Sequence, residues 1–358
     1  MKGLKEISSL FLFLYNLNKI LNFNSLPFIC EYVTIFTYIR QGVFALKKIR
    51  YTAFACALII IFTFIFSSCA GVRPYAILHD KFDVYAIAYS DRLCKINIKS
   101  PQGFVYDVQN ACFVFSKGES KVVYPGSTSK LITILYALSV LPPEKVITAG
   151  DELDFVKAGS SIAYIKKGHK LTVEMLVEGM LIPSGNDAAY VLAAAVGREI
   201  KGNDIDAGEA IAAFLDGVNN YTKTLGLCGT FLTVPDGYAG EEHYTTTEDI
   251  AIVAKAAMAN PIIAKYARLY TADVRYASGE TNTWVNTNKL LDDQSKYYSP
   301  YAIGLKTGSI SGEYSLLFAF RFDDGREYIA GVFGADNKNE RFEDANTIIN
   351  YFENIVDA

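Results

Sequence analysis

Methionine, tryptophan and histidine are nearly missing from this 358-residue chain, with four, one and three residues respectively. Charge is sparse too: 20% of residues are Asp, Glu, Lys or Arg, and the formal net charge is −4. A chain without a basic excess lacks the electrostatic footprint of a nucleic-acid binder, and no nucleic-acid partner is expected. The three histidines, His79, His169 and His243, stand in no nucleophile-elbow context, and Gly-x-Ser-x-Gly does not occur. A Ser-His-Asp hydrolase therefore has no support. Cysteine spacing of the zinc or disulfide-framework kind is also missing. Cys30, Cys56 and Cys69 precede residue 71, which leaves Cys94, Cys112 and Cys228, an odd set without close spacing. Neither a metal nor a cofactor is expected, and the three body cysteines should be buried as small apolar residues.

What the chain has in plenty is apolar residues, 51%, and aromatic ones, 13%, which excludes a disordered tail. Ten of the 23 Phe lie in residues 1–70, together with seven Lys or Arg, two Glu and no Asp. That stretch carries +5 against −4 for the whole, so the remainder carries −9. A basic, aromatic leader over 1–71 thus precedes an acidic globular body.

The leader reads as an export signal. Lys47-Lys48-Ile49-Arg50 is a positive flank, Ala53 to Phe66 is an uncharged run, and Ser67-Ser68-Cys69-Ala70-Gly71 supplies small residues for a peptidase. Three outcomes follow: lipidation at Cys69, in a segment that resembles a bacterial lipoprotein box with Phe66 where Leu is usual; ordinary signal cleavage; or retention as a membrane anchor. The expected location is the extracytoplasmic face of a bacterial cytoplasmic membrane. Residues 1–46 fit this poorly, because Lys19 and Glu31 interrupt their apolar sequence. No Met occurs between Met1 and Met175, and we read translation as starting near Val43 or Leu46 from a non-Met codon.

In the body, Ala111–Phe115 and Val122–Tyr124 flank Lys117-Gly118-Glu119 and suggest a hairpin. Ser127 to Leu141 has a helical period that Pro142-Pro143 closes; further helices are expected over Thr172–Ile182, from Asp187 into Val196, and over Glu340–Val356. Tyr314–Phe322 and Tyr328–Phe333 flank Asp323-Asp324-Gly325, a second hairpin. Strands at both ends with helices between predict one sheet covered by helices rather than a βαβ repeat.

Ser127-Thr128-Ser129-Lys130 begins the first helix, and a three-residue step puts Ser127 and Lys130 on one face. A helix N-terminus favours a developing oxyanion, and a Lys whose pKa is lowered by burial can take the serine proton without histidine. Alone, this spacing is as well read as a solvated helix start. Ser184-Gly185-Asn186, after Pro183, is by itself a capping turn, and Lys306-Thr307-Gly308 a loop or a strand edge offering backbone groups to an extended peptide. The order S-x-x-K, S-x-N, K-T-G is far more specific, since the trio forms one serine-acylation site.

Over residues 110–335 the chain resembles the penicillin-binding D-alanyl-D-alanine carboxypeptidases, peptidase family S11. The resemblance rests on YPGSTSKLITILYAL, GHKLTVEMLVEGMLIPSGNDAAYVLA, LGLCGTFLTVPDG followed by HYTTTEDIA, NTNKLL and IGLKTG. It implies an α+β, β-lactamase/transpeptidase-like fold: an antiparallel sheet flanked by helices, with a helical subdomain beside it and the cleft between them. It also implies the roles. Ser127 is the nucleophile, Lys130 its base and Ser184 a proton relay. Asn186 holds the substrate amide, Lys306 and Thr307 of the Lys306-Thr307-Gly308 strand bind the terminal carboxylate, and the backbone N–H groups of Ser127 and Ser309 form the oxyanion hole. The substrate implied is a peptidoglycan stem peptide ending in D-Ala–D-Ala, with β-lactams as inhibitors.

Departures from the family pattern are Gly126 for Ala, Ile310 for Thr, and Glu313-Tyr314 for a small Ala-Gly pair. The chain ends soon after its last helix, so anchoring is expected to fall to the N-terminus. Residues 72–109 match no pattern and stand as an unassigned N-terminal part of the body, which puts the carboxypeptidase domain at 110–358. Two alternatives share the trio. A class A β-lactamase would have Asp between Ser184 and Asn186 and a Glu-x-x-x-Asn loop, whereas Gly185 stands here and that loop is missing. A non-catalytic penicillin- or peptidoglycan-binding lipoprotein draws only on the departure near Ile310.

Overall fold

The computed structural model describes residues 72–75, 87–90, 93–118 and 121–355. The leader over 1–71, with Cys69 and the start near Val43 or Leu46, lies outside the described residues. Strands β1 (Val72–Tyr75), β2 (Ile87–Ser90), β3 (Gln102–Asp107) and β4 (Cys112–Lys117) come first. Three ribbons follow: β5 (Val122–Val123) pairs with β8 (Thr245–Thr246), β6 (Val146–Thr148) with β7 (Lys170–Thr172), and β9 (Thr271–Arg275) with β10 (Thr281–Val285). Strands β11 (Ala302–Ile310), β12 (Glu313–Arg321) and β13 (Glu327–Ala335) come last. The main sheet has seven strands in the order β1-β2-β4-β3-β13-β12-β11, antiparallel except for the parallel pair β2 and β4.

Strand β12 explains the layering. Ser315 to Phe320 is buried without a break, the pattern of a strand covered on both faces. Leu317 and Ala319 enter one apolar cluster, while Leu316, Phe318 and Phe320 enter a second one on the opposite face, as a period of two requires. The second cluster is closed by the last helix, α7 (Glu340–Asn354), through Phe342, Ile348 and Phe352.

The other face carries α1 (Lys130–Val140), α5 (Thr247–Ala259) and α6 (Pro261–Ala267). Beside them stand α2 (Val173–Leu181), α3 (Asn186–Lys201) and α4 (Ala207–Thr224), the helical subdomain. Four of these helices start at a side-chain cap: Thr172 for α2, Thr246 for α5, Asn260 for α6, and an Asp206–Glu209 capping box for α4. A Cβ on Gly197 would lie 1.8 Å from the Ala210 carbonyl oxygen, so glycine lets α3 and α4 touch backbone to backbone.

Two expectations change, and one unassigned stretch finds a place. The hairpin after Cys112 does not form: β4 pairs with β3, and β5 pairs with β8. The turn before β4 is closed by Asp107, whose carboxylate accepts from the backbone N and the Nδ2 of Asn110, whereas Val122-Val123 is too short to hold β4. Within 72–109, the part of the body left unassigned by sequence, Gln102–Asp107 forms β3, which lies inside the sheet between β4 and β13. Finally, only Cys112 of the three free body cysteines is buried; Cys94 is half-buried and Cys228 is exposed after α4.

Candidate active site

The three motifs converge although they come from distant parts of the chain. Gly126 to Ser129 forms a 3-10 turn running into α1, and 3-10 geometry stacks residues i and i+3. Ser127 and Lys130 are therefore eclipsed, and Lys130 Nζ donates to Ser127 Oγ at 2.8 Å. The same ammonium donates to Asn186 Oδ1 at 2.7 Å and to the Asp236 carbonyl oxygen at 2.7 Å. Lys130 is fully buried. Burial lowers its pKa to about 8, against the opposing pull of Asp236 and Asp187.

The second motif sits in the break between α2 and α3, after Pro183. Ser184 adopts a left-handed φ of 64°, a strained conformation for a residue with a side chain. The turn is pinned from both sides: Gly185 N donates to the Gly179 carbonyl at 2.8 Å and Asn186 N to the Ser161 carbonyl at 2.8 Å. Asp187, next in α3, accepts from the backbone N of Ala163 and Ile165. Its burial pushes the carboxyl pKa up, and these amide bonds oppose that rise.

The third motif lies on β11, the edge strand of the sheet. Lys306 is buried, and its Nζ donates to Ser184 Oγ at 2.8 Å and to the Thr307 carbonyl at 3.1 Å. Burial, and then the charges of Lys130 and Arg341, hold its pKa well below the ordinary lysine value. Thr307 Oγ1 and Thr287 Oγ1 share a 2.5 Å hydrogen bond. Gly308 is required by contact: a Cβ there would stand 2.4 Å from the Pro125 carbonyl oxygen. Ser309 is exposed at the cleft end of the strand. Its backbone N lies 2.9 Å from where a Cβ on Gly126 would be, so it flanks the nucleophile turn.

All eight site residues expected in the body, Ser127, Lys130, Ser184, Asn186, Lys306, Thr307, Gly308 and Ser309, are thus brought together; Cys69 lies outside the described residues. Other participants had no local pattern to betray them. The Asp236 carbonyl closes the Lys130 site, and next to it Gly237, at φ 79°, lets the chain pass so close that a Cβ would come 2.0 Å from the Gly126 carbonyl oxygen. Arg341, on α7, reaches the Gly308 carbonyl at 2.7 Å, the Ser315 carbonyl at 3.2 Å and Ser309 Oγ at 3.3 Å. Burial lowers the Arg341 pKa to about 10.

Known proteins resemble this chain in sequence and fold. The sequence profile of the D-alanyl-D-alanine carboxypeptidase family, Peptidase S11, matches residues 90–337. A D-alanyl-D-alanine carboxypeptidase of Streptomyces sp. strain K15 is 30% identical over 267 residues, covering 72% of this chain and 88% of that protein. The D-alanyl-D-alanine carboxypeptidase DacF of Bacillus subtilis is 29% identical; the match covers 64% of this chain and only 55% of DacF. The crystal structure of the Streptomyces K15 DD-transpeptidase superposes with a TM-score of 0.64 at 30% identity, covering 72% of this chain and 98% of that one. By the extent of the profile match and by this relative, the chain belongs to the D-alanyl-D-alanine carboxypeptidase family, Peptidase S11.

Proposed function

We propose that the protein is a serine D-alanyl-D-alanine carboxypeptidase that removes the terminal D-Ala from peptidoglycan stem peptides through an acyl-enzyme. The observation that carries this reading is the buried Lys130 ammonium on Ser127 Oγ, with its pKa lowered to about 8. In its neutral form Lys130 takes the Ser127 proton as Oγ attacks the penultimate D-Ala carbonyl. The backbone N–H groups of Ser127 and Ser309 receive the oxyanion. Ser184, bonded to Lys306, passes a proton to the departing D-alanine nitrogen. Asn186 orients the substrate amide, and Lys306 with Thr307 holds the terminal carboxylate, a pairing of charge with a fixed cation. Water then cleaves the ester and restores Ser127. A β-lactam, whose carboxylate and strained amide imitate the substrate, would acylate the same serine.

The name of the Streptomyces structure raises a second fate for the acyl group, transfer to an amine. One experiment separates the readings: incubate the protein with fluorescent penicillin and with a pentapeptide ending in D-Ala–D-Ala, with and without an amine acceptor, beside Ser127→Ala. Covalent labelling and free D-alanine, both lost in the variant, support the carboxypeptidase. A transpeptidation product in place of hydrolysis supports transfer, labelling without D-alanine release supports a binding protein, and rapid penicillin turnover supports a β-lactamase.

The leader motifs extend the proposal to place: an exported protein held at the outer face of the cytoplasmic membrane through residues 1–71. Lipid labelling in cells, lost on Cys69→Ala, separates a lipoprotein from a cleaved or retained signal.

A further inference from the structure

Outside the groups that touch substrate, one buried titratable side chain points at the nucleophile turn. His243 is 2% exposed, and its ring bridges two elements. Nδ1 accepts from the backbone N of Thr233 at 3.2 Å, so the ring proton resides on Nε2, which lies 2.9 Å from Ser129 Oγ. Ser129 Oγ in turn donates to the Gly126 carbonyl oxygen at 2.9 Å. Every link has one direction: Thr233 N–H to His243, His243 to Ser129, Ser129 to the Gly126 carbonyl. Burial, and then the charge of Lys130, lower the His243 pKa to about 4, so the ring stays neutral and the relay keeps its polarity above mildly acidic pH.

The chain of bonds ends on a peptide unit with a second end. None of the described peptide bonds is cis, and in a trans unit the C=O and the following N–H lie in one plane and point opposite ways. The Gly126 carbonyl and the Ser127 N–H belong to the same unit. Gly126 itself has φ 51°, a backbone region in which glycine is free to turn, so this plane needs an external hold. A hydrogen bond into the carbonyl also polarises the amide and strengthens its N–H as a donor.

We propose that His243 is a positioning residue for the oxyanion hole: through Ser129 it fixes the plane of the Gly126–Ser127 peptide and so aims the Ser127 N–H at the developing oxyanion. The inference rests on the serine-acylation reading above. It assigns a task to the third residue of the Ser127-Thr128-Ser129-Lys130 motif and to a histidine that exchanges no proton with substrate.

The test uses three variants of the full protein, His243→Phe, His243→Gln and Ser129→Ala, and measures β-lactam acylation by stopped flow, which separates non-covalent Kd from the acylation rate constant. Removing an oxyanion donor costs about 100- to 1,000-fold, and misaiming one is expected to cost about 10- to 100-fold. The expected result is that loss in His243→Phe and Ser129→Ala with Kd unchanged, and recovery to within about threefold of wild type in His243→Gln, whose side-chain amide restores a neutral donor to Ser129. Thermal melting and active-site titration of each variant count only folded protein. Wild-type acylation rates in folded His243→Phe, or equal losses in His243→Phe and His243→Gln, overturn the inference. Failure of the wild-type protein to acylate overturns instead the reading on which it rests.

Discussion

Burial, and beyond it the charge of Lys130, depresses the pKa of Lys306: two buried lysines meet at one site, and hydroxyl and carbonyl oxygens hold their Nζ atoms where carboxylates ordinarily would. A site built this way is tuned for an anion that arrives with the substrate. Each lysine yields a prediction of its own.

Lys130 acts as a base only when neutral. With its pKa at about 8, the acylation rate should rise with pH up to about 8 and flatten above it, by about tenfold per unit on the rising limb. Lys130→Arg keeps the charge but cannot deprotonate, and should lower acylation by about 10²- to 10⁴-fold. Stopped-flow acylation between pH 5.5 and 9.5 checks both. A flat profile would refute the base assignment.

Lys306 should gain a proton when a carboxylate binds, because its pKa is held low in the free cleft and an anionic partner raises it. Titration calorimetry of the Ser127→Ala protein with a D-Ala–D-Ala peptide across a pH series, in two buffers of different ionisation enthalpy, should give heats that differ by the proton uptake wherever the free lysine is neutral. In Lys306→Met the difference should vanish and binding weaken. Identical heats in both buffers for the protein carrying Lys306 would count against the carboxylate role.

Gly308→Ala should disable the site rather than the fold. Its Cβ would meet the Pro125 carbonyl oxygen at 2.4 Å, a contact only a shift of β11 or of the nucleophile turn relieves. The expected outcome is a loss of about 1–3 kcal/mol in stability, as for other overpacked positions, with acylation reduced far more than that implies. Melting curves and penicillin labelling of the same sample decide it; wild-type labelling would falsify the close contact.

Glu178 in α2 is buried, and burial raises its carboxyl pKa to about 7, with Lys265 opposing and Glu174 assisting. The folded state thus holds this proton more tightly than the unfolded chain. The benefit is full below about pH 4.5 and disappears as pH climbs through about 7. Glu178→Gln should therefore stabilise the protein at pH 8 by about 3 kcal/mol, the rise from 4.5 to about 7 at about 1.4 kcal/mol per pKa unit setting the upper bound at about 3.5 kcal/mol, and leave it nearly unchanged at pH 4.5. Urea midpoints at the two pH values measure this, and a less stable variant at pH 8 would show the sign to be wrong.

The parts of the site that sequence could disclose are those whose chemistry needs a fixed local spacing. Ser127 and Lys130 had to be three residues apart to share a helical face, and Ser184 and Asn186 had to flank a break between helices. Lys306, Thr307 and Gly308 had to lie on a strand edge. What sequence could not disclose works through the backbone or from far along the chain. Asp236 contributes a carbonyl, which any residue carries; Arg341 acts on β11 from α7; and His243 reads in isolation as a packing or capping residue. The hairpin expected after Cys112 failed for a similar reason. Val122-Val123 carries a strand-like pattern, but pairing is chosen by the whole sheet, and β3, formed upstream of the recognisable motifs, was already the partner of β4.

The convergence of Gly126, Gly237 and Gly308 has a thermodynamic meaning. Where they meet, the nearest neighbour of each glycine is a backbone atom, so this part of the site has few rotamers to freeze when a ligand arrives. The ordering cost was met when the chain folded. Capture of a peptide or β-lactam should then resemble rigid docking: a single-step, temperature-insensitive encounter whose heat-capacity change reflects desolvation of the ligand and cleft walls alone, with no contribution from a closing lid.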